Sequence, residues 1–114
     1  MSNTLTIDIA GFFSWVMTQE NDAIIGFTAE CGTCPIAYYI RSLGAKFAQA
    51  RPGILMYAVD MRKDNVLQLL EPNNPLRMFM REIDSWGHNK PLTKADILPI
   101  LIRMSREEVE NGVV

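Results

Sequence analysis

Apolar positions at the start of the chain recur at helical spacing. Leu5, Ile9, Phe12, Phe13 and Val16 fall at i, i+4, i+7, i+8 and i+11, which predicts one amphipathic helix over 5–19. Ser2, Asn3 and Thr4 precede it as candidate N-caps. Asp8 falls in or near the first turn, where the helix dipole favours a carboxylate. Gly11 weakens the helix a little, and Glu20-Asn21-Asp22 ends it. Residues 23–27, AIIGF, are short, apolar and β-branched and read as an extended segment, followed by loop at 28–33.

A second helical stripe, Ile36, Ile40, Leu43 and Phe47, predicts a helix over 35–47. Pro35 suits position N1, where its missing N–H would be unpaired anyway, so Cys34 is the N-cap. Gly44 either ends this helix or lies inside it. The break at 51–53, RPG, introduces ILMYAV at 54–59, a strand by composition. Residues 60–65 are charged and turn-like. VLQLL at 66–70 then returns as the second strand of a hairpin, with a short helix as the competing reading. Residues 71–75, EPNNP, are loop.

Asn74 and Pro75 form a cap-and-proline helix start, with Leu76, Phe79, Met80 and Ile83 on one face, Trp86 at its edge and Gly87 as the C′ residue. HNKP at 88–91 is a tight connection. Thr93 and Asp96 resemble a capping box with Asp in place of Glu, and Leu92 and Ile97 stand where a hydrophobic staple needs them. The last predicted helix, roughly 94–104, carries Ile97, Leu98, Leu101 and Met104. Pro99 removes one of its hydrogen bonds and predicts a kink or a restart. Ser105 and Glu108 repeat the capping pattern before a frayed tail. Strands and helices do not alternate as a parallel sheet requires, so the fold class expected is α+β, helix-dominated, with a short hairpin or small antiparallel sheet in a single domain over 1–114.

Composition narrows the function classes. The 114 residues are 48% apolar and 21% charged, with a net charge of −2 and interleaved signs. This lacks the concentrated basic field that non-specific nucleic-acid binding needs. No apolar run approaches the roughly 18 residues of a membrane span. The first residues, MSNTLTIDIAG, lack a basic n-region and carry Asp8, unlike a secretory signal. The expected setting is cytosolic and reducing, which disfavours a structural disulfide.

The two cysteines, Cys31 and Cys34, form a C-x-x-C pair with four readings. The first is a dithiol redox centre, since a thiol at a helix N-terminus is activated. Against it, proline after the second cysteine places Cys34 at the cap, whereas thioredoxins place the first cysteine there. The candidates for a facing cis-proline, Pro72 and Pro75, lead into a helix instead. The second reading is zinc, with Cys31, Cys34, His88 and a carboxylate such as Glu30. The third is Cys34 as a nucleophile activated by His88. The fourth is architectural: free cysteine packs as a small hydrophobe, so the helix start is the reason for the pattern. The balance of these arguments favours the fourth, with no cofactor or metal implied.

The stretch Cys34-Pro35-Ile36-Ala37 with Ile40-Arg41 resembles a C-P-[ILV]-A-x-x-[LI]-R signature of small bacterial and phage-like proteins of unknown function. AIIGF, Ile83-Asp84 and the Thr93-capped final helix extend the resemblance over residues 9 to about 101. It implies a Cys-Pro helix, a hairpin and a capped final helix, and no activity or cofactor. Only the cysteine before proline belongs to that signature, so Cys31 is unmatched.

Helices 75–87 and 93–104 have a connection of roughly helix-turn-helix length, but KADILPILIRM offers base edges one basic residue at each end and an apolar middle. Among seven methionines, Met80 and Met104 lie on apolar stripes, while Met78 sits nearly opposite its stripe. Tyr38 also projects away from its stripe, with Arg41 at i+3. Tyr38, Arg41 and Met78 are types enriched at interfaces. Arg77, Arg81 and Asp84 share one helix side and read as a solvated face with an ion pair. No phosphate loop, nucleophile elbow or paired carboxylate cluster is present in the sequence. The expected function is a non-enzymatic accessory or interaction protein with a protein partner or self-association. The alternatives are a thiol redox protein using Cys31 and Cys34, and a DNA-binding regulator.

Overall fold

The structure is a computed structural model that describes residues 4–60 and 65–112. Among these the order is α1 (Ile9–Met17), β1 (Ile24–Phe27), α2 (Pro35–Ser42), β2 (Phe47–Arg51), β3 (Ile54–Ala58), β4 (Val66–Leu69), α3 (Pro75–Asp84), β5 (Pro91–Thr93) and α4 (Lys94–Gly112). This is an α+β fold with two antiparallel sheets, β2-β3-β4 and β1-β5. The candidate caps Ser2 and Asn3 and the hairpin turn at 61–64, with Met61, lie outside the described residues, as does the Glu108 side chain.

Helix α1 starts later than the apolar stripe predicts. Asp8, placed in the first turn by sequence, is the N-cap, and its carboxylate accepts from the Gly11 N–H at 2.7 Å. Leu5 therefore lies outside the helix. Its N–H donates to the Tyr57 hydroxyl at 2.7 Å, which ties the leading segment to β3 and buries Ile7. Helix α2 begins as expected, with Cys34 as N-cap and Pro35 at N1, but ends at Ser42, with Leu43 as C-cap, instead of at Phe47. Gly44 at φ 113° stops it, since that conformation suits a residue without Cβ. Leu43 is consequently exposed, and Phe47 opens β2.

Strand β2 pairs with β3 through the two-residue turn Pro52-Gly53, from Arg51↔Ile54 to Phe47↔Ala58. Its inward residues Ala48 and Ala50 are small, which lets α2 sit close on it. The segment at 66–70 takes the strand alternative and pairs with β3 from Ile54↔Leu69 to Tyr57↔Val66. Helix α3 has the predicted Asn74 cap, whose side chain accepts from Leu76 N–H at 2.9 Å. It ends at Asp84 with Ser85 as C-cap, two residues before Gly87. The connection at 88–91 contains the start of β5, which pairs with β1. Asp96 accepts from the Thr93 N–H at 2.8 Å, the carboxylate half of the expected capping box. Helix α4 continues through Pro99 and Ser105 without a restart. Pro99 is exposed and forfeits only its own hydrogen bond.

The core is one cluster of buried side chains. Phe12, Val16, Ile36, Ile40, Leu55, Tyr57, Leu76, Phe79, Met80, Ile83, Ile97 and Leu101 are buried almost completely. Phe12 is its aromatic hub, with ring centroids 5.0 Å from Phe79 and 5.7 Å from Tyr39, both edge-on. Helix α2 packs on both β1 and β2, so it joins the two sheets.

One close approach fixes that joint. A Cβ on Gly26 would lie 2.7 Å from Pro35 Cα and closer still to its nitrogen, so strand β1 touches the first turn of α2 directly. A methyl there meets the backbone and the ring of Pro35. Gly26→Ala is expected to lower the free energy of unfolding by about 3 kcal/mol in denaturant titration. Gly32→Ala, where a Cβ meets nothing within 4 Å, is expected to stay within about 0.5 kcal/mol of the parent.

Candidate functional site

Residues 28–34 have no regular structure, yet most of the backbone carbonyls in this loop accept a hydrogen bond. Phe27 N–H donates to Thr33 C=O at 2.8 Å, which folds the loop back on β1. Thr28 N–H donates to Lys90 C=O at 2.9 Å and Thr28 C=O accepts from Asn89 N–H at 2.8 Å. Thr28 is fully buried, and its hydroxyl accepts from Lys90 N–H at 2.9 Å. Ala29, in the left-handed region at φ 55°, donates its N–H to the Asp84 carboxylate at 3.1 Å. Cys31 C=O accepts from Ala50 N–H at 2.8 Å on the open edge of β2. Arg41 reaches back from α2 and donates to Gly32 C=O at 2.8 Å and Ala48 C=O at 3.4 Å.

This loop forms one wall of a pocket of about 330 Å³. Its chemistry-bearing lining residues are Glu30, Cys31, Cys34, Arg51, Asp84 and His88. The four zinc candidates named from sequence are thus brought to one place. Among the described residues, however, no three His, Cys, Asp or Glu side chains stand close enough together to hold a metal ion. His88 Nε2 instead lies 3.1 Å from Glu30 Oε1 at the exposed rim.

The two thiols are free and differ in environment. Cys31 is half-buried, with Arg51 Nη2 3.9 Å from its sulfur. Cys34 is buried, its Sγ 3.8 Å from Ala50 C=O. Burial raises the Cys34 thiol from its ordinary 9.0 to about 11, against the pull of the Ala37 and Ile36 N–H groups at the start of α2. The charges of Asp84 and Cys31 add to the rise. Burial thus favours the protonated thiol of Cys34.

A second, larger cleft of about 610 Å³ opens between α1, α3 and α4. Ile9, Phe13, Met78, Leu101 and Met104 give it an apolar lining, with Ser14, Asn73 and Ser105 as polar members. Met78 is 47% exposed, as its position opposite the α3 stripe predicts. Of the three interface candidates only Met78 lines this cleft. Tyr38 and Arg41 flank the loop instead, with the Arg41 guanidinium carbon 5.1 Å from the Tyr38 ring centroid. Arg77 and Asp84, expected to share an ion-paired solvated face with Arg81, each bind backbone: Arg77 Nη1 donates to Leu70 C=O at 3.0 Å, and Asp84 accepts from Ala29. Sequence reasoning missed Asp84 and Arg51 as pocket residues. The only signal was Asp84 within the Ile-Asp pair of the resemblance.

Comparison with family models, with curated proteins and with solved structures gives no match for this chain.

Burial raises the Asp84 carboxyl above its ordinary 3.8, against the Ala29 N–H that lowers it. The folded chain thus holds this proton more tightly than the unfolded one. Its contribution to stability is full below pH 3.8 and is lost as pH rises through the folded value. Asp84→Asn keeps an acceptor for Ala29 and has no such dependence, so it is expected to gain on the parent as pH rises from 3 to 7 in thermal melts. Asp84→Ala leaves the Ala29 N–H without its acceptor and is expected to cost about 1 kcal/mol.

Proposed function

We propose that this protein is an interaction module with a non-enzymatic cleft, between α1, α3 and α4, that receives an amphipathic helix of a protein partner. The observation that carries this reading is the cleft itself: about 610 Å³, open to solvent and lined by Ile9, Phe13, Met78, Leu101 and Met104. No residue lining it among those described carries a charged side chain, which suits an apolar occupant. Its walls are helices, so an inserted helix can lay anchors at i, i+3 and i+4 between them. Two of its anchors are methionines, which repack around different side chains. Further apolar surface lies on the outer side of β4, where Leu67 is 60% and Leu69 77% exposed.

The resemblance of residues 9 to about 101 to small bacterial and phage-like proteins supplies no activity, so the reading rests on this surface. No described helix is long and apolar enough to cross a membrane. The middle of α4, weighed as a recognition helix, turns Ile97 and Leu101 into the core.

Met78→Glu tests the proposal, because it places a charge in the cleft at a site already half in solvent. The chain and the variant are compared by affinity capture from the host, and the apolar helix of a partner lost by the variant is then titrated as a peptide. The expected result is an unchanged melting temperature and a peptide Kd weakened at least about 30-fold, the size of a central anchor. Identical captured sets for chain and variant, with both monomeric by light scattering, contradict it.

A further inference from the structure

The loop pocket holds chemistry that the apolar cleft does not use. Residues 31–33 form a turn and Cys34 follows it as the N-cap of α2. That turn is closed by Thr33 N–H on Glu30 C=O at 3.2 Å and carries Cys31, which stands three residues before Cys34 along the chain. Both sulfurs line one pocket, and they differ in access. Cys31 is half-buried at the mouth, while Cys34 is 3% exposed at the base. The rim beside Cys31 stays wet, since the His88 and Glu30 side chains are 74% and 41% exposed.

We propose that Cys31 and Cys34 form a reversible dithiol centre that reduces low-molecular-weight disulfides, with Cys31 as the attacking sulfur and Cys34 as the resolving one. The fixed charge of Arg51, 3.9 Å from Cys31 Sγ, stands where negative charge must sit on the attacking sulfur. In the first step the Cys31 thiolate attacks one sulfur of the disulfide. A Cys31–S–S–R bond forms, the R–S–S–R bond breaks, and the released RS⁻ takes a proton from water. In the second step Cys34 attacks Cys31 Sγ, forming the Cys31–Cys34 bond and breaking the Cys31–S–S–R bond. The Cys34 proton passes to the departing sulfur, which leaves as RSH, with the Asp84 carboxylate of the same pocket relaying it. The sum is two thiols and one disulfide converted to one disulfide and two thiols. The buried, high-pKa Cys34 holds its proton until the mixed disulfide is in place, which orders the two steps.

Thioredoxins place the attacking cysteine at the helix cap, and here the cap residue is Cys34. The assignment therefore rests on exposure and on Arg51, not on the position of the motif along the helix.

The test exposes the full chain to glutathione disulfide, quenches by alkylation and reads intact mass. The parent is expected to lose two hydrogens and carry no adduct. Cys34→Ser, whose serine remains a good N-cap, is expected to stop as a stable glutathione adduct on Cys31. Cys31→Ser is expected to show neither product, and Arg51→Gln to slow adduct formation about tenfold. Asp84→Asn is expected to form the adduct at the parent rate and resolve it about tenfold more slowly. A parent that keeps both thiols or stops at the adduct overturns the proposal, as does a Cys34→Ser chain that stays unmodified. Circular dichroism of each variant separates these outcomes from misfolding. The result is independent of the apolar cleft, so its failure leaves the interaction reading standing.

Discussion

The structure depends on a loop that holds its neighbours through backbone hydrogen bonds. Residues 28–34 satisfy donors and acceptors on β1, β2 and the 88–90 connection, and Ala29 binds the Asp84 carboxylate at the end of α3. An unpaired backbone group in such a place would cost as much as a lost hydrogen bond, so the partners fix one conformation. The loop ends where Pro35 rests against Gly26. This contact sets the depth of α2, and α2 in turn holds both sheets. Cys31 also seals the edge of β2 by accepting from Ala50, leaving β4 as the open edge of that sheet.

The two surfaces share no lining residue. On one side the loop builds a pocket whose walls carry sulfur, carboxylate, imidazole and guanidinium. On the other side of the core, Phe12 and Phe79 fill the interior while Phe13 and Met78 turn outward into the apolar cleft. One side offers groups that can exchange protons and electrons. The other offers only shape and apolar area. The two proposals, a helix-receiving cleft and a dithiol pocket, therefore draw on separate residues.

Much of this fold was legible in the sequence because helices announce their own starts. Pro35 and Pro75 mark N1 positions, Asn74 caps α3, and the Thr93–Asp96 pair stands where α4 begins. The α+β class and the β3–β4 hairpin followed from the change of apolar period. Strand β2 was not legible, because FAQAR offers two alanines and two polar residues, and its buried face makes sense only once α2 lies on it. Strand β5 is three residues long and begins with proline. The start of α1 was misplaced because Leu5 continues the stripe while its backbone is bound to Tyr57, a partner 52 residues away. The pocket was half legible. Cys31, Cys34, His88 and Glu30 could be grouped by their chemistry, but Arg51 and Asp84 join them only through pairing and loop closure.

The claim that most of the structure rests on is that residues 28–34 are locked in place without regular structure. Native-state hydrogen exchange measures this directly. The amides of Phe27, Thr28 and Ala50, which donate into the loop and its neighbours, are expected to open only with the global unfolding of the chain, at the rates of the central strand β3. Exchange of those three amides by local opening, several hundredfold faster than the β3 core, would contradict the account.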